Sequence, residues 1–246
     1  MVKQALLNTY VNNLDMNEAI RAIEGFVQRK KKGYLVEINA DVVMKIEHDV
    51  KLKMVVDKAD MVLVDGQPLV WVAKWCGRPV KARISGSDLV PALCKVALEK
   101  GYSVFIIGGK EGIAEKAKQN LESDLPGINV VGVYAPPMGF EQNSEELERI
   151  NNMISHAHPD LLIACFGCPK QEKWIYDNYE KYDATFSVCA GATVDFLAGN
   201  VKRAPRWMSN AGIEWLYRFA KEPKRLFKRY FIDDVKILGL IFKYRK

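Results

Sequence analysis

The 246-residue chain lacks the features of a secreted or membrane-spanning protein. Residues 1–13 do not have the basic-then-apolar pattern of a signal peptide. The longest apolar run near the C-terminal end, residues 237–242, is far shorter than the roughly 20 residues that a spanning helix needs. These absences lead us to expect a cytoplasmic protein that is soluble or peripherally bound to a membrane.

Cysteine is scarce and has no disulfide-like arrangement. The five cysteines stand at positions 76, 94, 165, 168 and 189, an odd number without the spacing of a secreted framework. Cys165 and Cys168 form a lone C-x-x-C pair, and a zinc site would need further ligands, for which only His156 and His158 are near. Reduced thiols in a cytosolic protein are the simpler interpretation of this pair.

The net charge of +6 is divided unevenly along the chain. Residues 202–246 contain 13 Lys and Arg against 4 Asp and Glu, a net charge of +9. The first 201 residues contain 23 against 26 and carry −3. A C-terminal segment this basic is expected to meet an anionic partner, which can be nucleic acid, anionic lipid or phosphate.

Apolar runs of strand length alternate with amphipathic helical segments along most of the chain. The predicted strands are residues 34–38, 61–64, 104–107, 130–134, 161–166 and 185–189. This alternation predicts an α/β fold with a mostly parallel, Rossmann-like sheet covered by helices on both faces. The simplest division is an α/β core over residues 1–201 and a helical, basic C-terminal appendage over residues 202–246.

Some helix boundaries are indicated by capping residues. Asp15 and Glu18 make a plausible capping pair for a helix that reaches about Arg29. Helical patterning runs from residue 41 to residue 58, and Ser87 or Asp88 is expected to cap a helix ending near residue 100. Another helix is expected to open at the segment 108–110.

Polar and glycine-rich segments follow the predicted strands, where ligands of open parallel sheets bind. The segments are Asn39, Asp65-Gly66, Gly108-Gly109-Lys110, the stretch 167–172, and Gly191 with Asp195. Their convergence on one edge of the sheet is more informative than any single member and predicts a ligand site there.

Each candidate also has an ordinary structural explanation. Asp65 is well placed for general-base work at a strand end, but its spacing alone favours an ordinary turn aspartate before glycine. The segment 108–110 could offer backbone N–H groups to a phosphate, or it could simply be a tight turn. Arg83 could hold phosphate oxygens in its guanidinium fork, or pair with Asp88. The residues alone leave these alternatives open.

The C-terminal segment interleaves cations with aromatic side chains. After Pro223, which is acceptable at a helix start, Lys224 and Lys228 have helical spacing, as do Arg225 and Arg229. Such a helix fits a membrane interface or nucleic acid, or it presents a solvated basic face while packing on the core.

Five segments occur in one order along the chain: Asp65-Gly66, RISGSDL at 83–89, FGCPKQEKW at 166–174, GNVKRAP at 199–205, and EWLYR to EPKR at 214–225. Together they resemble the WecG/TagA/CpsF glycosyltransferase family, and within it the TagA branch. The resemblance covers almost the whole chain.

The resemblance implies an inverting, β-1,4-forming hexosyltransferase of wall teichoic acid linkage-unit synthesis. Its donor would be UDP-N-acetylmannosamine and its acceptor undecaprenyl-diphosphate-linked N-acetylglucosamine. The implied location is the inner face of the cell membrane, with the anionic membrane surface as a partner. The alternative is a family member that uses another UDP-sugar, such as mannosaminuronic acid or glucose, for other surface polysaccharides.

An inverting transfer needs a base for the attacking hydroxyl and stabilisation of the leaving diphosphate. The resemblance assigns the base to Asp65 and sugar or diphosphate contacts to Asn39, Arg83 and Gln171. Strand-end positions add Gly108, Gly109 and Asp195 as candidate substrate-binding residues. The residues matched to lipid-diphosphate or membrane binding are Arg218, Arg225, Lys228 and Arg229.

One position departs from the family pattern. TagA-like sequences carry a small hydroxyl residue two positions before Asn39, where this chain has Glu37. A carboxylate that points into the pocket would compete with Asp65 as base or impair donor binding.

The chain contains no D-x-D motif of the kind that holds a divalent metal on a nucleotide diphosphate. We therefore predict a transferase without metal or cofactor, in which cationic side chains neutralise the phosphates. A nucleic-acid-binding module that uses the basic segment is the second hypothesis, and the ordered motifs argue against a nucleic-acid partner. A homo-oligomer is possible, because a detached C-terminal segment would leave apolar surface exposed.

Overall fold

A computed structural model describes residues 2–202, 204–205, 207–208, 212–221, 223–228 and 236–244. Its strands are β1 (Lys3–Leu6), β2 (Thr9–Asn12), β3 (Gly33–Ile38), β4 (Met61–Val64), β5 (Ser103–Gly108), β6 (Asn129–Tyr134), β7 (Leu161–Cys165) and β8 (Phe186–Cys189). Its helices are α1 (Met16–Gln28), α2 (Ala40–Ile46), α3 (Val50–Lys58), α4 (Gln67–Trp75), α5 (Gly86–Lys100), α6 (Ile113–Asp124), α7 (Ser144–Ala157), α8 (Lys170–Asn178), α9 (Thr193–Leu197), α10 (Glu214–Lys221), α11 (Pro223–Lys228) and α12 (Ile237–Tyr244).

Within these residues, six parallel strands form the central sheet in the order β4-β3-β8-β7-β5-β6. Since all six run in one direction, their carboxyl ends lie at the same edge. After β5 the chain adds β6 on one side of the sheet, whereas after β7 it adds β8 on the other side. The direction in which strands are added therefore reverses between the neighbouring strands β5 and β7. The α/β fold with a parallel, Rossmann-like sheet is confirmed.

The two faces of the sheet support separate cores, which follow from the two-residue repeat of a strand. On β3, Val36 and Ile38 pack with the buried side chains of α2, α3, α4, α7, α8 and α12. Leu35 faces the other way and packs with α1, α5, α6 and α9. Strands buried on both sides explain why the apolar runs in the sequence are nearly continuous.

An N-terminal hairpin, which the sequence patterns did not indicate, covers the edge of the sheet. Strands β1 and β2 pair antiparallel, and the Asn12 side-chain oxygen accepts a hydrogen bond of 2.8 Å from the backbone N–H of Val62 on β4. This contact occupies a backbone group on an edge strand that would otherwise be open to pairing.

The helix boundaries confirm one capping prediction and correct three other predictions of where helices begin or end. Asp15 and Glu18 form the reciprocal capping box of α1. The helical pattern over 41–58 is interrupted, because Asp49 caps a second helix, α3, with its side chain. The cap of α5 is Ser85, two residues before the expected position, since Ser87 already lies in the first turn. Helix α6 begins at Ile113, after a turn that follows the segment 108–110.

The last helix packs against the α/β core. Ile237, Leu240 and Ile241 of α12 belong to the core on the α2 side of the sheet. Lys243 and Tyr244 donate hydrogen bonds to the carboxylate of Glu47, at the end of α2. The division at residue 201 stays a prediction, with this helix as a point of attachment. Among the helices of the described ranges, none combines the length and apolar character needed to cross a membrane.

Candidate functional site

Polar and glycine residues gather where the parallel strands end. Asn39 follows β3 and Asp65 follows β4, so two neighbouring strands deliver these side chains to one edge. Gly167 follows β7, and Gly191 follows β8. The sheet order therefore brings together segments that are far apart in the sequence, at the edge where ligands of such sheets bind.

Asn39 and Asp65 lie at the ends of adjacent strands. The Asn39 side-chain oxygen accepts a hydrogen bond of 3.1 Å from the Val42 N–H and so caps α2. The Asp65 N–H donates to the Ile38 carbonyl oxygen at 2.8 Å, which continues the strand pairing by one residue. Gly66 has φ of 98°, a conformation that favours glycine, and a Cβ there would lie 3.5 Å from the Asn39 Cβ. Both predicted residues thus sit side by side.

Arg83 is held between two carboxylates. Its guanidinium lies 3.3 Å from Asp88 and 3.8 Å from Glu214 on α10. The same Asp88 oxygen accepts a hydrogen bond of 2.7 Å from the Ser85 hydroxyl. The ion pair that the sequence suggested is therefore formed, and Arg83 also connects the start of the C-terminal helices to the strand-end edge.

Glu37 is the departure from the family pattern, and it lies at this same edge. One side-chain oxygen, Oε1, is buried and has no hydrogen-bond partner in the described part of the chain. The carboxyl group accepts a hydrogen bond from the Gly86 N–H at the start of α5. Burial, and after it the negative charge of Asp65, raises the pKa of Glu37 well above its usual range.

Gln171 joins two of the converging loops. Its side-chain oxygen accepts hydrogen bonds from the N–H groups of Gly167, at 3.1 Å, and Gly191, at 3.0 Å. Its Nε2 donates to Glu172 at 2.9 Å, and the side chain is almost fully buried, with 5% of its surface exposed. The contacts hold the loops after β7 and β8 together, and a substrate contact by Gln171 stays a prediction.

Gly108 and Gly109 form a tight crossing rather than an open helix start. Gly108 has φ of 122°, and a Cβ there would collide with the Cys165 carbonyl group. The Gly109 N–H donates to that carbonyl oxygen at 3.3 Å. These glycines allow the ends of β5 and β7 to approach, at the point where the chain reverses its course. Their role in substrate binding is a prediction.

Asp195 lies in the short helix α9. Its side-chain oxygen accepts a hydrogen bond of 2.9 Å from Asn200, and its backbone carbonyl accepts from the N–H groups of Asn200 and Val201. These bonds close the loop that begins the motif at 199–205. Asp195 is partly exposed, so substrate binding by it also stays a prediction.

The cysteines of the C-x-x-C pair have the character of unreactive thiols. Burial raises the pKa of Cys165 to about 12, and it also raises the pKa of Cys168. In the described residues, no group of three or more His, Cys, Asp or Glu side chains is arranged to hold a metal ion.

Four C-terminal cations are predicted to bind the lipid diphosphate or the membrane. Arg229 lies outside the described residues, as do the side chains of Arg218, Arg225 and Lys228. Their helices α10 and α11 are formed, and α11 begins at Pro223 as the sequence predicts.

Two residues build the site through contacts that the sequence patterns did not assign to them. Glu172 is buried beside Gln171, and burial raises its pKa. Lys45 pairs with Asp41 at 2.8 Å and also donates to the Cys168 carbonyl oxygen at 3.2 Å, which ties α2 to the loop after β7. The spacing of Asp41 and Lys45 signals the helical ion pair, whereas nothing in the sequence signals the contact with Cys168.

Comparison with known proteins adds to this geometry. The model of the glycosyl transferase WecG/TagA/CpsF family matches residues 4–246. Two curated relatives have the name N-acetylglucosaminyldiphosphoundecaprenol N-acetyl-beta-D-mannosaminyltransferase. The protein of Bacillus spizizenii is 28% identical over 200 residues, which cover 81% of this chain and 76% of the relative. The protein of Bacillus subtilis is 27% identical over 200 residues, with the same coverage of both chains.

Proposed function

We propose a specific activity for this chain, which belongs to the WecG/TagA/CpsF glycosyltransferase family. It is the hexosyltransferase that moves N-acetylmannosamine from its UDP conjugate to undecaprenyl-diphosphate-linked N-acetylglucosamine. The names of the two Bacillus relatives support this acceptor and this sugar. The reaction would form the β-1,4 linkage of the wall teichoic acid linkage unit. The observation that carries the proposal is the adjacent position of Asp65 and Asn39 at the carboxyl ends of β4 and β3 in a chain of this family.

The chemistry is a single displacement at the anomeric carbon. The acceptor hydroxyl oxygen attacks this carbon from the face opposite UDP, the new C–O bond forms, and the bond to the UDP oxygen breaks. Asp65 accepts the hydroxyl proton, and UDP leaves with the bonding electrons. A positioned general base contributes about 10²–10⁴-fold to such a step. One displacement inverts the α-configured donor to a β-linked product.

Cationic side chains are proposed to stabilise the departing UDP in place of a metal. The sequence has no D-x-D motif, and residues 202–246 carry a net charge of +9. The link from Arg83 to Glu214 supports this view, because it attaches the start of α10 beside the strand-end edge. Arg218 follows Glu214 by four residues on α10, and Arg225 lies on the next helix, α11. Guanidinium groups are suited to diphosphates, since their fork geometry matches phosphate oxygens.

Peripheral binding to the inner face of the membrane is the third part of the proposal. Leu216, Phe227 and Phe242 expose 46%, 54% and 73% of their surface on the C-terminal helices. Helix α4 exposes Trp71 and Trp75, and tryptophan favours the membrane–water interface. Apolar side chains beside basic residues suit reversible binding to an anionic bilayer, where each Lys or Arg near the surface contributes about 1 kcal/mol.

The test is a donor panel with a short-chain lipid-diphosphate N-acetylglucosamine acceptor. UDP release is measured with UDP-N-acetylmannosamine, UDP-mannosaminuronic acid and UDP-glucose, and the anomeric configuration of the product is read by NMR. We expect the N-acetylmannosamine donor to have the highest kcat/KM and to give a β-linked product. A higher kcat/KM with another donor would support the alternative family activity, because one pocket contact can change the sugar chosen.

Absence of turnover with every donor, in a folded protein that binds nucleic acid in a salt-dependent manner, would support the nucleic-acid hypothesis instead. The matched control is the Asp65→Asn variant, which should bind UDP while losing transfer.

Self-association is measured in the same preparations by sedimentation, because the exposed apolar residues of α4 and the C-terminal helices are also compatible with a homo-oligomer.

A further inference from the structure

Glu37 belongs to the row of side chains that leads to the proposed base. Glu37 pairs in register with Leu63 of β4, two residues before Asp65, and it stands two residues before Asn39. Because side chains on one face of a strand repeat every two residues, Glu37 shares the face of Leu35 and Leu63, which α5 and α9 cover. Asn39 and Asp65 follow directly at the ends of these two strands. Leu35, two residues earlier on the same face of β3, is apolar and buried. Glu37 therefore places a carboxyl group on a face that is otherwise apolar.

The surroundings of the Glu37 carboxyl group are tight. A Cβ added at Gly86 would lie 2.8 Å from Glu37 Oε2 and 3.1 Å from both the Ala190 carbonyl oxygen and the Thr193 hydroxyl oxygen. The other carboxyl oxygen, Oε1, is buried without a hydrogen-bond partner among the described residues. The side chain is therefore fixed against the start of α5, and one of its two oxygens is left unsatisfied.

Acidic groups face Glu37 from three elements: Asp65 at the end of β4, Asp88 on α5 and Glu172 on α8. The thiols of Cys165 and Cys189, at the ends of β7 and β8, also interact with it. The Thr193 hydroxyl on α9 and the Gly86 N–H complete the surroundings. The backbone N–H favours the ionised carboxylate, whereas burial and the three acids favour the neutral acid, and burial with Asp65 prevails, so the pKa is raised.

We propose that Glu37 is a positioning residue that carries the proton of this acidic cluster during transfer, which leaves Asp65 as the ionised base. Neighbouring carboxyl groups cannot all be ionised without strong repulsion, and the group with the less solvated environment keeps the proton. The neutral Glu37 also reduces the negative charge at a site that has to accept a nucleotide diphosphate. The inference rests on the proposed function and adds a protonation state that the function itself does not specify.

The consequence is an alkaline limit on donor binding and transfer. When the pH rises through the folded-state pKa of Glu37, a second negative charge appears beside Asp65, and the donor diphosphate is repelled. Each pH unit above that pKa should lower kcat/KM by up to about tenfold, as expected for a single ionisation. An amide at this position stays neutral at every pH and should not produce that limit.

The test compares wild type, Glu37→Gln and the control Glu115→Gln, which changes an exposed residue on α6. The first readout is the pH profile of kcat/KM for the UDP-sugar. The second is the dissociation constant of UDP against pH by calorimetry, which requires no turnover. The third is the infrared carbonyl band of a protonated carboxylic acid at neutral pH.

We expect the alkaline limb of wild type and Glu115→Gln to move upward or disappear in Glu37→Gln, and the infrared band to be lost in that variant alone. An unmoved alkaline limb in both kcat/KM and UDP binding, or a wild-type infrared spectrum that Glu37→Gln leaves unchanged, would overturn the inference. If the wild type turns over no UDP-sugar, the proposed function fails, while UDP binding and the infrared band still decide the protonation state of Glu37.

Discussion

Replacing Gln171 with leucine tests whether this residue builds the site or only contacts the substrate. The substitution keeps a similar volume and removes three hydrogen bonds, to Gly167, Gly191 and Glu172. The two glycines are partly exposed, so water can replace part of what their N–H groups lose. The Glu172 carboxyl is buried, with 1% of its surface exposed, and it would lose its amide donor.

The size of the effect follows from these contacts. An unsatisfied buried polar group costs about 1–3 kcal/mol. Because the glycine N–H groups are partly exposed and Glu172 is fully buried, we expect the free energy of unfolding to fall by roughly 2–4 kcal/mol in total. For a chain of this length, each kcal/mol lowers Tm by about 2–4 °C, which predicts a fall of roughly 5–15 °C. The loops after β7 and β8 would also separate, so affinity for UDP should fall as well.

The assay is thermal unfolding followed by circular dichroism, with and without saturating UDP. Gln119→Leu is the matched control, because Gln119 is an exposed glutamine within helix α6 and should leave Tm near the wild-type value. A Gln171→Leu variant with wild-type Tm and strongly weakened donor binding would refute the reasoning. That result would show that the side chain contributes through substrate contact rather than through the bonds between the loops.

Asp65→Asn should lower kcat by about 10²–10⁴-fold with little change in UDP affinity, and a near-normal kcat would remove Asp65 as the base. Activity in excess chelator should equal activity in Mg²⁺, whereas a loss that Mg²⁺ or Mn²⁺ restores would refute metal independence. The double variant Leu216→Ser, Phe242→Ser should co-sediment less with anionic vesicles without a lower Tm. Arg225→Ala should reduce transfer more than vesicle binding, and equal small losses in both assays would show that Arg225 is only a surface charge. Folding raises the pKa of Glu37, so the contribution of this residue to the free energy of unfolding is present at acidic pH and is lost as the pH rises through the folded-state pKa. Urea unfolding measured across pH should show this decline in the wild type and not in Glu37→Gln.

Helix and strand identity in this chain follow largely from local patterns. The apolar run 61–64 coincides with β4, and Asp15 with Glu18 marks the start of α1, because both signals depend on neighbouring residues. The hairpin β1–β2 was missed, since its burial depends on the edge of β4 and on the Asn12 contact with Val62. The break before α3 was missed because the side chain of Asp49 competes locally with a continuous helix.

The candidate site was predictable as a place and only partly as a set of contacts. The sequence by itself determined that Asn39 and Asp65 end parallel strands, because an apolar run followed by a polar residue is a local property. Only the tertiary structure decided that Glu37 lies against Gly86 and that Gln171 joins Gly167 to Gly191. These contacts depend on the strand order β4-β3-β8-β7-β5-β6, which places residues distant in the chain a few ångströms apart. The protonation state of Glu37 depends on the same packing, because burial and the charge of Asp65, rather than the identity of the residue, raise its pKa.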